Sequence, residues 1–184
     1  MPRLRAVAVF CGSREGADPA FREAAAALGR GLAERGMRLV YGGGGIGLMG
    51  VLADAALAAG GAVTGVMPAF LRRLEVAHPA VTDLVTTDSM HQRKRIMADL
   101  ADAFVMLPGG LGTLDETVEI LTWRQLGLHA KPVILCDIAG SAAPLAAAVE
   151  TAIAQGFADA GLRDFLRVVP DAPAALALLA AGGF

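Results

Sequence analysis

The chain has 184 residues, which suits one domain with a sizeable core, and a net charge of −2 that exerts no general pull on nucleic acid. Hydrophobic residues make up 55%, but much of that is alanine, and the longest uncharged apolar run (55–71) is broken by Gly60, Gly61 and Pro68 and is too short for a membrane span. No signal-peptide pattern follows Arg3 and Arg5, Cys11 and Cys136 read as buried thiols of a reducing compartment, and with three scattered histidines they make no metal-ligand spacing, so a cytoplasmic enzyme or binding domain without a metal is expected.

In chain order, 6–10 (AVAVF) reads as a strand ending at Cys11-Gly12-Ser13, and 19–35 as a helix with Phe21, Ala25, Leu28 and Leu32 on one face, closed by Gly36. A second strand, 38–41, runs into the glycines at 42–45. A helix over 46–59 and a strand over 62–67 follow. Residues 68–79 are irregular, with a short helix at 69–74. Then come a strand at 84–87, a helix at 89–101, and the apolar run Phe104 to Leu107. After that strand, Leu114, Val118 and Leu121 repeat at helical spacing. The remainder reads as a strand at 132–136, a helix at 142–155, a short strand at Val168 and Val169, and a helix at 172–181. Alternating strands and helices with short links predict an α/β fold: a single Rossmann-like domain over 1–184, doubly wound, with a parallel sheet and helices on both faces. Ligands then bind beyond the carboxyl ends of the strands, where four loops gather: 11–14, 42–47, 87–94 and 108–113.

The most informative stretch is AFVMLPGGLGTLDETVEI, residues 103–120. A buried strand, a loop with Gly109, Gly110 and Gly112, and a helix start bring backbone N–H groups and a positive dipole end to one point, as a phosphate site requires. The following helix carries Asp115, Glu116 and Glu119. Thr113 and Glu116 have the spacing of a capping box; the alternative is that a carboxylate beside the phosphate acts on the sugar it carries. Spacing leaves both open.

Gly45-Ile46-Gly47-Leu48-Met49-Gly50 spells GxGxxG, but a dinucleotide site also asks for an acid at the end of the next strand, and 62–67 ends without one. A tight glycine turn lining a smaller nucleotide fits better. There is no GxxxxGK[ST] of a P-loop NTPase and no GxSxG of an esterase. Arg93-Lys94-Arg95 can be a solvated helix face, yet three cations near a helix start oppose the dipole, and such departures gather where ligands bind.

Pro108 to Glu116 matches PGGxGTxxE. On this stretch, with Tyr41 to Gly50 (YGGGGIGLMG) and Met90 to Lys94 (MHQRK) in the same order, the chain resembles the LOG (lonely guy) cytokinin-activating phosphoribohydrolases, many of which were misnamed lysine decarboxylases. The resemblance spans residues 6–160. It implies hydrolysis of a nucleoside 5′-monophosphate, of the cytokinin type with an N6-substituted adenine, to free base and ribose 5-phosphate. It further implies a homodimer and no cofactor, with neither nucleic acid nor membrane as partner. By the same resemblance Arg93 and Glu116 are the catalytic pair, with Lys94 beside them in the substrate site. The expected substrate-binding set adds Gly109, Gly110, Leu111, Gly112, Thr113, Leu114 and Asp115, then Glu75 and Thr122, with Ser13, Gly43 and Gly44 from the neighbouring loops. Thr122 reads equally as a helix threonine bonded back to a carbonyl, and His91 has no evident partner. Rival readings are a general AMP nucleosidase and a non-catalytic carrier of a nucleotide or molybdenum cofactor. Leu111, where the family often has an aromatic, and Asp115, where it often has glutamate, leave the base preference open. A pyridoxal-phosphate decarboxylase is disfavoured, since neither lysine has a Schiff-base setting.

Overall fold

A computed structural model describes residues 4–72 and 76–182. The elements are β1 (Ala6–Phe10), α1 (Pro19–Glu34), β2 (Arg38–Tyr41), α2 (Gly47–Ala58), β3 (Val63–Pro68), β4 (Asp83–Thr87), α3 (Met90–Leu100), β5 (Ala103–Met106), α4 (Leu111–Gln125), β6 (Val133–Cys136), α5 (Ala143–Ala154), α6 (Leu162–Phe165), β7 (Leu166–Val169) and α7 (Ala172–Ala181). The seven strands pair in parallel in one sheet of order β4-β3-β2-β1-β5-β6-β7. The doubly wound α/β fold expected from the sequence is the fold found.

Pleat alternation divides the core into two layers. Val7, Val9 and Cys11 pack with apolar residues of α1, α2 and α7, while Ala6, Ala8 and Phe10 pack with those of α3 and α4 and part of α5. Both faces of the central strands are thus buried, which is why they read as continuous apolar runs. Burial pushes the Cys136 thiol up to about 12, with the Asp171 charge adding to the effect, so it is an inert core residue.

One element is added and two expectations are revised. α6 is a single turn, too short to leave a hydrophobic period. β7 begins at Leu166 rather than Val168, because Leu166 and Arg167 pair with Val133 and Ile134 of β6. The short helix expected over 69–74 is a 3-10 turn at Ala69–Leu71, and residues 73–75 lie outside the described residues.

The strand order reverses between β1 and β5, the arrangement that opens a crevice at the carboxyl edge of an α/β sheet. Loops 11–14 and 107–110 leave from that point. They are joined at their base by Gly12 N–H donating to Pro108 O at 3.0 Å.

Candidate active site

The crevice holds a cavity of about 680 Å3, the size of a small-molecule site. One wall is the start of α4. This helix begins at Leu111, two residues before Thr113, with Gly110 as N-cap and no side-chain cap. The capping box therefore does not form: Thr113 is already helical, and its carbonyl accepts from Thr117 Oγ1 at 2.6 Å. The first hydrogen bond of the helix is Leu114 N–H to Gly110 O, 3.1 Å, so the N–H groups of Leu111, Gly112 and Thr113 have no acceptor within the helix. Gly110, Leu111, Gly112 and Thr113 all line the cavity. The result is a run of main-chain donors able to cradle an anion.

Facing it, α3 is started by Ser89, whose Oγ accepts from Gln92 N–H at 3.2 Å, while Gln92 Oε1 accepts from Asp88 N–H at 2.7 Å. That closed start fixes the helix carrying Arg93. The Arg93 guanidinium is 4% exposed and donates from Nη2 to Gly42 O at 3.0 Å and from Nη1 towards Met90 Sδ at 3.8 Å. Glu116, in the second turn of α4, is 7% exposed and lines the same cavity. An arginine and a glutamate, both withdrawn from bulk water, thus share one chamber with the anion cradle. Burial of both is affordable only in a polar setting of this kind.

The other sequence-derived residues divide. Ser13, Gly109, Gly110, Leu111, Gly112 and Thr113 line the cavity; Gly43, Gly44, Lys94, Leu114, Asp115 and Thr122 do not. Lys94 Nζ instead lies 2.9 Å from Asp115 Oδ2 and 2.6 Å from Glu119 Oε2. Burial works against its charge, but hydrogen bonds and charge from Glu119 and Asp115 outweigh that and raise its pKa. Thr122 Oγ1 donates to Val118 O at 2.8 Å, the local bond its sequence position allowed. Arg95 is exposed and paired with Asp99 one turn on. Glu75 lies outside the described residues.

The first glycine loop contributes Gly42 rather than Gly43 or Gly44 to the cavity. Gly43 and Gly45 are used against a returning strap: His78 N–H donates to Gly43 O at 2.9 Å and Gly45 N–H to Val76 O at 2.7 Å. His78 is held in turn by Asp54 of α2 at 3.0 Å. Sequence reasoning missed Arg14, Met49 and Ser141 on the cavity wall. Arg14 and Met49 sit in or beside loops already assigned to this edge, whereas Ser141 follows a strand with no recognisable signal.

Comparison with known proteins follows the same lines. Residues 49–179 match the family model described as "Possible lysine decarboxylase". A rice protein named "Probable cytokinin riboside 5'-monophosphate phosphoribohydrolase LOGL9" is 48% identical over 171 residues, covering 93% of this chain and 75% of its own length. The chain belongs to the LOG family. The "Cytokinin riboside 5'-monophosphate phosphoribohydrolase" of Rhodococcoides fascians is 44% identical over 179 residues, covering 97% of this chain and 90% of its own. Among solved structures, the molybdenum cofactor carrier protein of Chlamydomonas reinhardtii superposes on this LOG family member with a TM-score of 0.72 at 25% identity, covering 96% of each chain.

Proposed function

We propose that this LOG family protein hydrolyses the N-glycosidic bond of N6-substituted adenosine 5′-monophosphates, giving free base and ribose 5-phosphate, with Arg93 and Glu116 as its catalytic residues. The observation that carries the reading is the placement of these two buried, oppositely charged side chains on one cavity with an uncapped helix start. The N–H groups of Leu111, Gly112 and Thr113 receive the 5′-phosphate, with Ser13 at the facing loop. Anchoring the phosphate at the start of α4 sets the ribose near Glu116, about a turn and a half along the same helix.

As the bond to the base lengthens, the anomeric carbon gains positive charge, which the Glu116 carboxylate stabilises. Water adds to that carbon, its proton passing to Glu116, and the C–N electron pair leaves with the base, which takes up a proton. Arg93, held by Gly42 O, keeps permanent positive charge beside the site and favours the ionised carboxylate. None of these roles calls on a metal or redox cofactor. The test is release of free base from AMP and from N6-isopentenyladenosine 5′-monophosphate. The wild-type protein should release base, faster from the substituted nucleotide. Glu116→Gln should bind nucleotide normally and lose on the order of 10²–10⁴ in kcat. Near-normal turnover by that variant would remove Glu116 from its role. Tight nucleotide binding with no base release by the wild type would leave the carrier reading, which the likeness to the Chlamydomonas protein supports at the level of the fold.

The working unit is proposed to be a homodimer. On α4, Leu111, Leu114 and Val118 are 84%, 42% and 49% exposed and recur at helical spacing, with Leu126 exposed at its end. Leu111 also lines the cavity, so a second copy packed on this stripe would cover an apolar face and wall the site together. Val118→Asp should convert the dimer to monomer by light scattering. No helix among the described residues is long and apolar enough to cross a membrane, and a cytoplasmic setting suits both the substrate and the two free thiols.

A further inference from the structure

We propose that His78, anchored by Asp54, is a positioning residue for Arg93 and acts on it through the carbonyls of the first glycine loop. The inference rests on the hydrolase reading of the cavity. In that loop three consecutive carbonyls accept from three different parts of the chain. Gly42 O accepts from Arg93 Nη2 at 3.0 Å, Gly43 O from His78 N–H at 2.9 Å, and Gly44 O from the Tyr41 hydroxyl at 3.2 Å. The Gly42 carbonyl, which meets the arginine, belongs to a peptide between two glycines, and no side chain restricts its rotation. Its direction therefore depends on what holds the next peptide, and that is the strap carrying His78.

The strap needs an anchor. Val76, whose carbonyl accepts from Gly45 N–H at 2.7 Å, has φ of +48°, a left-handed conformation that a β-branched residue keeps only where its surroundings enforce it. The His78 ring supplies the anchor and is 6% exposed. Ala80 N–H donates to its Nδ1 at 3.2 Å, so Nδ1 carries no proton and Nε2–H donates to Asp54 Oδ1 at 3.0 Å. One ring nitrogen thus fixes the strap to itself and the other fixes it to α2. That helix starts at Gly47, directly after the glycine loop, and its Leu48 and Met49 line the cavity. Loop, α2, Asp54, His78 and Gly43 form a closed circuit with Arg93 attached at Gly42. Neither His78 nor Asp54 lines the cavity, so their influence reaches it through the loop.

The test measures kcat and KM for AMP in the wild type, Asp54→Ala, Asp54→Asn, His78→Ala, Arg93→Ala and the double variant His78→Ala with Arg93→Ala. Positioning predicts that Asp54→Ala and His78→Ala each lower kcat by about tenfold while KM stays within about twofold. Asp54→Asn, whose amide oxygen still accepts from Nε2–H, should recover most of that loss. Because the effect runs through Arg93, His78→Ala should cost no more than about twofold in kcat once residue 93 is alanine. Full additivity in that background overturns the proposal, as does a loss confined to KM or a wild-type kcat in both single variants. If His78→Ala does not fold, Asp54→Ala takes its place in the double variant, since the Asp54 side chain is 73% exposed. Should the wild type release no base, the hydrolase reading fails separately and nuclear magnetic resonance decides. The Arg93 Nε–H signal, identified by its loss in Arg93→Ala, should then shift or broaden in Asp54→Ala, and an unmoved signal overturns the proposal.

Discussion

Two glycine-rich loops built from similar letters do opposite work in this protein. In the first, 42–50, the missing side chains make room for other parts of the protein. A Cβ on Gly42 would overlap the Arg93 guanidinium, one on Gly47 the carbonyl of Ser13, and one on Gly50 the carbonyl of Gly45. Gly47 also has φ of +62°, where an L side chain is strained. These glycines let the starts of two helices and two loops converge, and Met49 N–H donates to Gly12 O at 3.3 Å across that junction. In the second loop Gly109 is likewise packed, against Thr113, but a Cβ on Gly110 or Gly112 would meet no atom within 4 Å. That space is the cavity. The first loop is filled by other parts of the protein, with Gly42 alone of its glycines at the cavity; the second opens on the cavity. A glycine motif therefore reports close approach, and only the surroundings tell whether what approaches is chain or substrate.

Substitutions at single glycines can break this contrast. The largest effect is expected at Gly47→Ala, which combines a left-handed backbone with overlap on Ser13. It should cost about 2–5 kcal/mol in denaturant unfolding, and a value near zero would mean that the loop junction is loose. Next is Gly42→Ala. The added methyl displaces Arg93 from its carbonyl partner, so kcat for base release should fall on the order of 10²-fold with unfolding changed by only about 1–3 kcal/mol. Retained kcat would show that the Arg93–Gly42 bond does not set the catalytic geometry. The smallest effect on the fold is expected at Gly110→Ala. Its φ of −94° and ψ of −155° suit any residue, so stability should change by about 0.5 kcal/mol or less. The methyl would stand at the mouth of the anion cradle, and KM for AMP should rise roughly tenfold. A normal KM would move the phosphate elsewhere in the cavity.

Much of the fold was legible because parallel strands buried on both faces write continuous apolar runs, and their helices write a clear period. The elements misjudged were those without such a signature. α6 is one turn long, and the first residues of β7 are defined by pairing with β6 rather than by their own composition. At the site, the letters from Ala103 to Glu116 announced a strand, a glycine loop and a helix start, and Arg93 and Glu116 share the cavity on which that helix start opens. The same letters offered Thr113 and Glu116 as a capping box. Starting α4 two residues earlier removed that option and left Glu116 buried on the cavity wall. Lys94 could not be placed from sequence: next to Arg93 in the chain, it turns towards α4, where its ammonium lies 2.9 Å from Asp115 and 2.6 Å from Glu119.

The sequence alone determined the layered α/β architecture, the edge of the sheet at which the cavity opens, and the family, because periodicity and short motifs are properties of neighbouring residues. Only the tertiary structure decided which glycines face the cavity, where α4 begins, and which of two adjacent cations on α3 turns to the site. Those outcomes depend on the distance and rotation between elements far apart in the chain, which no local pattern encodes.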